Sequence, residues 1–150
     1  LQRQGASRRL AEAARAAGVS DRITWLPRVS RDEVVTLMQG ADALVQPSVY
    51  EGFGLPIIEA MACGCPVVAS DIPVFREVTA GHAVFATAGD VGSLGAAMRA
   101  LVTAPSLRSD LAAASLARAQ QLSWDACARE TLAIFRDAVA AARPRRERTA

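Results

Sequence analysis

The stretch that decides the reading runs from Gln46 to Asp71, QPSVYEGFGLPIIEAMACGCPVVASD. The apolar run Ala43 to Gln46 leads into it and predicts a β-strand. Pro56, read as the first position of a helix, is tolerated there because its missing N–H has no intrahelical partner to lose. Between strand and helix, Gly52 and Gly54 lack side chains, so the loop amides from Gly52 through Phe53 and Gly54 to Leu55 can approach a ligand closely. A strand, a glycine-bearing loop and a helix N-terminus together supply backbone donors and a partial positive charge, which suit an anion such as a diphosphate. Glu51 and Glu59 flank the loop eight residues apart. Carboxylates repel phosphate and accept hydrogen bonds from hydroxyls, each charge-assisted bond contributing about 1.5–3 kcal/mol. The ligand implied carries both phosphate and polyol, as a nucleotide-sugar does. The plainer reading of each feature alone is a turn and two solvated acids.

Around these residues the chain resembles the donor-binding half of the family 4, or group 1, retaining glycosyltransferases of the GT-B fold, whose hallmark is a Glu-x7-Glu motif. EGFGLPIIEAMACG, PVVASD and REV follow in the family's order and spacing, with RITWLPRVSRDEV upstream and LSWDACARET downstream. The similarity extends from about Leu10 to Ala138. It implies that Glu59 holds the ribose hydroxyls, that Glu51 sits by the transferred sugar, and that the amides of Gly52, Phe53, Gly54 and Leu55 face the sugar and diphosphate. It also implies an N-terminal acceptor-binding domain and two further strands, the first followed by an arginine and a lysine that grip the diphosphate. This chain has neither, and Leu1 in place of an initiator methionine leads us to expect a piece of a longer protein. Arg28 falls where the family's loop approaches the nucleobase, and Pro27 replaces a glycine common there.

Composition agrees with a globular domain. Of 150 residues, 51% are hydrophobic and 21% charged, enough for one core, and no run approaches the roughly 20 apolar residues of a membrane span. All 17 basic residues are arginine, a skew that with the abundant alanine points to GC-rich bacterial coding. Aromatic content of 5% and the lack of any nucleic-acid-binding motif argue against a nucleic-acid partner. Cys63, Cys65 and Cys127 match neither a redox pair nor a zinc ligand set, so they read as small apolar residues in a reducing, cytoplasmic compartment. A peripheral position at the inner membrane face stays open. His82, the single histidine, reads as a turn residue.

Helical and strand patterns alternate. Helices are predicted over Ser7–Ala17, from Ser30 (a Ser-x-x-Glu box with Glu33) to Gly40 with Val34, Val35, Leu37 and Met38 buried, over Pro56–Cys63 and over Pro73–Thr79. Strands are predicted at Arg22–Leu26, Ala43–Gln46, Pro66–Ser70 and, at an edge, Ala83–Ala86. Asp90, Ser106 and Ser123 read as N-caps of three C-terminal helices, the last carrying Ile134, Phe135 and Val139. The fold class expected is α/β, a Rossmann-like parallel sheet with helices on both faces and C-terminal helices, the second half of a GT-B fold without its first strands. Residues 1–142 would form a partial nucleotide-sugar-binding domain and residues 143–150 an Arg-rich flexible tail.

The resemblance implies transfer of a hexose, mannose among those open, from a UDP- or GDP-sugar to a glycan or lipid hydroxyl with retained configuration. Loop amides and the helix dipole would stabilise the departing diphosphate, so neither metal nor cofactor is expected. Two readings compete: a non-catalytic nucleotide-sugar-binding or assembly module, and a GT-B nucleotide-sugar epimerase.

Overall fold

The computed structural model describes residues 2–26 and 28–142; Leu1, Pro27 and the Arg-rich tail at 143–150 lie outside the described residues. The described residues fall into two compact units divided between Arg31 and Asp32. In the first, helix α1 (Gln2–Ala16) ends as the glycine signal predicts. Gly18 turns left-handed at φ +67°, and Gly18 N and Val19 N donate to Arg15 O and Ala14 O. The strand expected at Arg22–Leu26 does not form. Ser20–Arg22 is a short 3-10 turn, and although Ile23 is extended (φ −116°, ψ 123°), no neighbouring strand pairs with this segment among the described residues. Alternating apolar residues make a chain extended; only a hydrogen-bonding neighbour makes it a strand.

In the second unit, α2 (Arg31–Gly40, all but its first residue) precedes a three-stranded sheet of β1 (Leu44–Gln46), β2 (Val67–Ser70) and β3 (Val84–Ala86). The strands are all parallel, in the order β1-β2-β3, with Gln46 opposite Ala69 and Ala69 opposite Phe85. Parallel neighbours require crossover connections, which here contain α3 (Leu55–Ala62) between β1 and β2 and α4 (Pro73–Thr79) between β2 and β3. Three helices follow: α5 (Val91–Thr103), α6 (Pro105–Ala119) and α7 (Trp124–Ala142).

Central strand β2 is buried along its whole length, and its alternation divides the core. Val67 and Ala69 join Ile57, Ala60 and Met61 of α3 and Phe75 and Val78 of α4. Val68 faces the other way, into a second cluster with Ala97 and Leu101 of α5 and the half-buried Leu107 and Leu111 of α6. Helices therefore cover both faces, which is why β2 reads as an unbroken apolar run. The sheet is α/β and Rossmann-like, as expected. Edge strand β3 also matches.

Local signals hold unevenly. Asp90 caps α5 by accepting from Ser93 N at 2.9 Å, and Ser123 Oγ accepts from Ala126 N at 3.1 Å at the start of α7. Ser106 is not a cap. Pro105, with its fixed φ, occupies the first turn of α6 instead, and Ala104 precedes it without any side-chain bond. In α2 only Val34 and Met38 are half-buried, one turn apart, whereas Val35 and Leu37 are exposed. Arg118 of α6 donates to Val78 O and Glu77 O at the end of α4, and Ser115 Oγ donates to His82 O, tying helix to turn. Among the described residues no helix is long and apolar enough to cross a membrane.

Candidate functional site

Strand β1 ends at Gln46, and the chain then runs through Pro47 to Gly54 before α3 begins. This loop leaves the C-terminal edge of the parallel sheet, where open α/β sheets bind their ligands. Gly54 decides how it closes. It adopts φ +90° and ψ 42°, and its carbonyl accepts from Ile57 N at 2.9 Å and Ile58 N at 3.4 Å, which starts the helix. Its Cα is also packed: a Cβ there would stand 2.9 Å from Phe75 Cε1. Both the torsion and the close approach demand glycine. Gly52 differs, for a Cβ there would meet nothing within 4 Å.

The left-handed Gly54 places the helix start at Leu55, one residue before the expected Pro56, which occupies the second position of the same first turn. The N–H groups of Gly52, Phe53, Gly54 and Leu55 donate to no backbone carbonyl among the described residues. They form a short run of donors without a backbone acceptor at the positive end of an eight-residue helix, with Gly54 buried and the other three residues exposed.

Glu51 is half-buried and held. Its Oε1 accepts from Ser48 Oγ at 2.9 Å and from Gln46 Nε2 at 3.1 Å, while Gln46 Nε2 also donates to Ser48 Oγ at 3.0 Å. Glu59 lies on α3 one turn beyond Leu55, on the exposed side opposite Ile57, Ala60 and Met61. The structure thus brings Glu51 and the amides of residues 52–55 into one loop, with Glu59 on the helix that the loop starts. Val49, Tyr50, Phe53 and Leu55 expose their side chains in the same segment. Gln46 and Ser48 are candidate-site residues that no motif in the sequence singles out, although both stand in the quoted QPS run. The available signal is their spacing, five and three residues before Glu51, with Gln46 closing the strand.

Asp71, just after β2, belongs to the same sheet edge. Its carboxylate accepts from Arg76 Nε at 2.5 Å and Nη2 at 2.6 Å, and this bidentate bond holds its pKa below the ordinary aspartate value. The Arg76 guanidinium also lies 4.7 Å from the centre of the Phe85 ring, so this cation is already committed. Burial pushes the Cys65 thiol up, away from thiolate reactivity.

A model of the family described as glycosyl transferases group 1 matches residues 3–118, from α1 to the end of α6. The chain belongs to this family. Among the group 1 glycosyltransferases it is 37% identical over 114 residues to O-antigen chain mannosyltransferase B of Escherichia coli, an alignment covering 76% of this chain and 30% of that protein. It is 34% identical over 145 residues to a D-inositol 3-phosphate glycosyltransferase of Salinispora tropica, covering 91% of this chain and 29% of that one. In structure it superposes on the sucrose-phosphate synthase of Thermosynechococcus elongatus with a TM-score of 0.81 at 28% identity, over 90% of this chain and 35% of that chain. The chain therefore spans about a third or less of the length of the relatives it matches.

Proposed function

We propose that this chain is the donor-binding portion of a retaining glycosyltransferase that moves a hexose from a nucleoside-diphosphate sugar to a hydroxyl acceptor. The observation that carries the reading is one loop at the sheet's C-terminal edge. It holds a fixed, half-buried carboxylate, Glu51, next in sequence to four amides without a backbone acceptor at a helix N-terminus. Donors of that kind fit a diphosphate, and acceptors fit hydroxyls; a nucleotide-sugar presents both in one molecule.

The chemistry then divides among named groups. Negative charge grows on the diphosphate as the glycosidic bond breaks, and the amides of Gly52, Phe53, Gly54 and Leu55, aided by the α3 dipole, stabilise it. Glu51 accepts from a sugar hydroxyl, and its charge supports the positive charge developing at the ring. Glu59, exposed on α3, accepts from the ribose hydroxyls. This division calls on no metal and no cofactor. The helix terminus contributes about 0.3–1 kcal/mol per anionic contact at an exposed site, too little to retain a diphosphate alone. Further cations and the acceptor site, for a glycan or lipid hydroxyl, belong on this reading to chain beyond these residues. Mannose is the hexose favoured by the relationship to an O-antigen mannosyltransferase.

The test separates binding from turnover in the full-length protein. Glu59→Ala should weaken UDP or GDP binding, measured by calorimetric titration, by about 2–3 kcal/mol as two charged acceptors are lost. Glu51→Gln should leave that affinity nearly intact and lower kcat about 100-fold, which is ~2.7 kcal/mol of transition-state stabilisation. Unchanged nucleotide affinity on losing Glu59 removes it from the ribose role, and unchanged turnover on losing the Glu51 charge makes that acid structural.

A further inference from the structure

We propose that Gln46 and Ser48 are positioning residues that clamp one oxygen of Glu51 to the end of β1 and leave the other for the sugar. The proposal rests on the reading of Glu51 just given.

Its starting point is proton accounting within the triangle of side chains. A carboxylate can only accept, so the group that Gln46 turns toward Glu51 must be its amide nitrogen. That nitrogen has two hydrogens, and it has two partners, Glu51 Oε1 at 3.1 Å and Ser48 Oγ at 3.0 Å. Ser48 accepts one of them and spends its single proton on Glu51 Oε1 at 2.9 Å. The Ser48 proton is thereby committed to Glu51, and the Gln46 amide is shared between Oε1 and Ser48 Oγ. Oε1 receives two bonds, while Oε2 receives none from any side chain among the described residues. The free oxygen can meet a ligand hydroxyl.

Anchorage is the second part. Ser48 and Glu51 lie in a loop that makes no sheet hydrogen bonds, whereas Gln46 is the last residue of β1, in register with Ala69 of the buried central strand. The clamp transmits the rigidity of the sheet to a loop carboxylate across five residues. All three side chains are half-buried, so water competes less for these bonds than it does at exposed Glu59. A site on a loop gains precision when its reacting group is locked from a regular element in this way. An alternative purpose, simple bracing of the loop, would also use these bonds, and it differs in what it leaves measurable.

The experiment uses the full-length protein with UDP- and GDP-hexoses as donors, following nucleoside diphosphate release, with UDP and GDP affinity and the thermal midpoint measured on each variant. Ser48→Ala should lower kcat about 10-fold with nucleotide affinity within about twofold, and Ser48→Thr, which keeps the hydroxyl, should recover most of it. Gln46→Met, which keeps the length and loses the amide, should give a similar loss by an independent route. In the Glu51→Gln background, Ser48→Ala should change kcat by less than about twofold, because the group it positions has already been altered. The proposal is overturned if Ser48→Ala and Gln46→Met turn over like wild type while Glu51→Gln falls about 100-fold; the reading of Glu51 then stands alone. Parallel loss of kcat, nucleotide affinity and thermal midpoint, or full additivity with Glu51→Gln, reduces the triangle to a brace and overturns it too. Wild-type turnover by Glu51→Gln itself defeats the preceding reading, and this one with it.

Discussion

Phe75 in α4 and Phe135 in α7 are the same residue on two amphipathic helices, yet one has no exposed surface and the other keeps 63% of its own. The segment from Gly54 to Thr79 contributes nearly all of the first core cluster, with Ile57, Ala60, Met61, Val67, Ala69 and Phe75 fully enclosed. Helix α7 has 19 residues and none is buried, although it carries Trp124, Leu132, Ile134, Phe135 and Val139. A shallow groove lined by Phe135, Arg136, Val139 and Ala140 runs along it. Apolar residues at helical spacing show that a face exists; what covers it depends on the neighbours that the chain supplies. Around the sheet the chain supplies them from α3, α4, α5 and α6. Along α7 the described residues bury no side chain.

The contrast is sharpest in stability. Phe75→Ala should lower the free energy of unfolding by about 4 kcal/mol, the usual loss for a fully enclosed phenylalanine, read from a urea titration followed by circular dichroism. A loss near 1 kcal/mol would mean that this core collapses around the cavity and is softer than its packing indicates. Gly54→Ala should follow at about 3 kcal/mol, combining left-handed strain at φ +90° with the Cβ placed 2.9 Å from the Phe75 ring. Combining it with Phe75→Leu should cost less than the sum of the two single changes, because shortening the ring removes the clash; full additivity would show that the torsion alone matters. Phe135→Ala should lie within about 0.5 kcal/mol of wild type by the same titration. A loss well above 1 kcal/mol there would show that the α7 face is covered in solution and would erase the contrast.

Much of this is legible in the sequence. The order of strand, glycine loop, proline-started helix and apolar strand between Ala43 and Ser70 is local information, carried by torsional preference and by runs of apolar residues that only a doubly covered strand tolerates. The expected helix at Pro73–Thr79 formed with those bounds, and Asp90 and Ser123 cap the helices they precede. Arg22–Leu26 departs from its expected strand because strand formation needs a partner that the segment cannot encode. Ser106 does not cap because Pro105 sets the helix start more firmly than a serine one residue later.

For the candidate site, the sequence by itself determined which groups are available. Two acids eight apart, glycines in the loop between and a helix immediately after are the groups on which the proposed phosphate and hydroxyl contacts rest, since hydrogen-bonding character is a property of residue type. The ordered run of motifs around them also suffices for family membership, as the match over residues 3–118 shows. Only the tertiary structure decided how these groups are held. That Gly54 faces Phe75, 21 residues later, depends on α4 folding back onto α3. That Gln46 and Ser48 fix one oxygen of Glu51 depends on where β1 ends and how the loop turns. Each is a distance between side chains set by packing, and packing is a property of the whole unit that no single stretch of sequence contains.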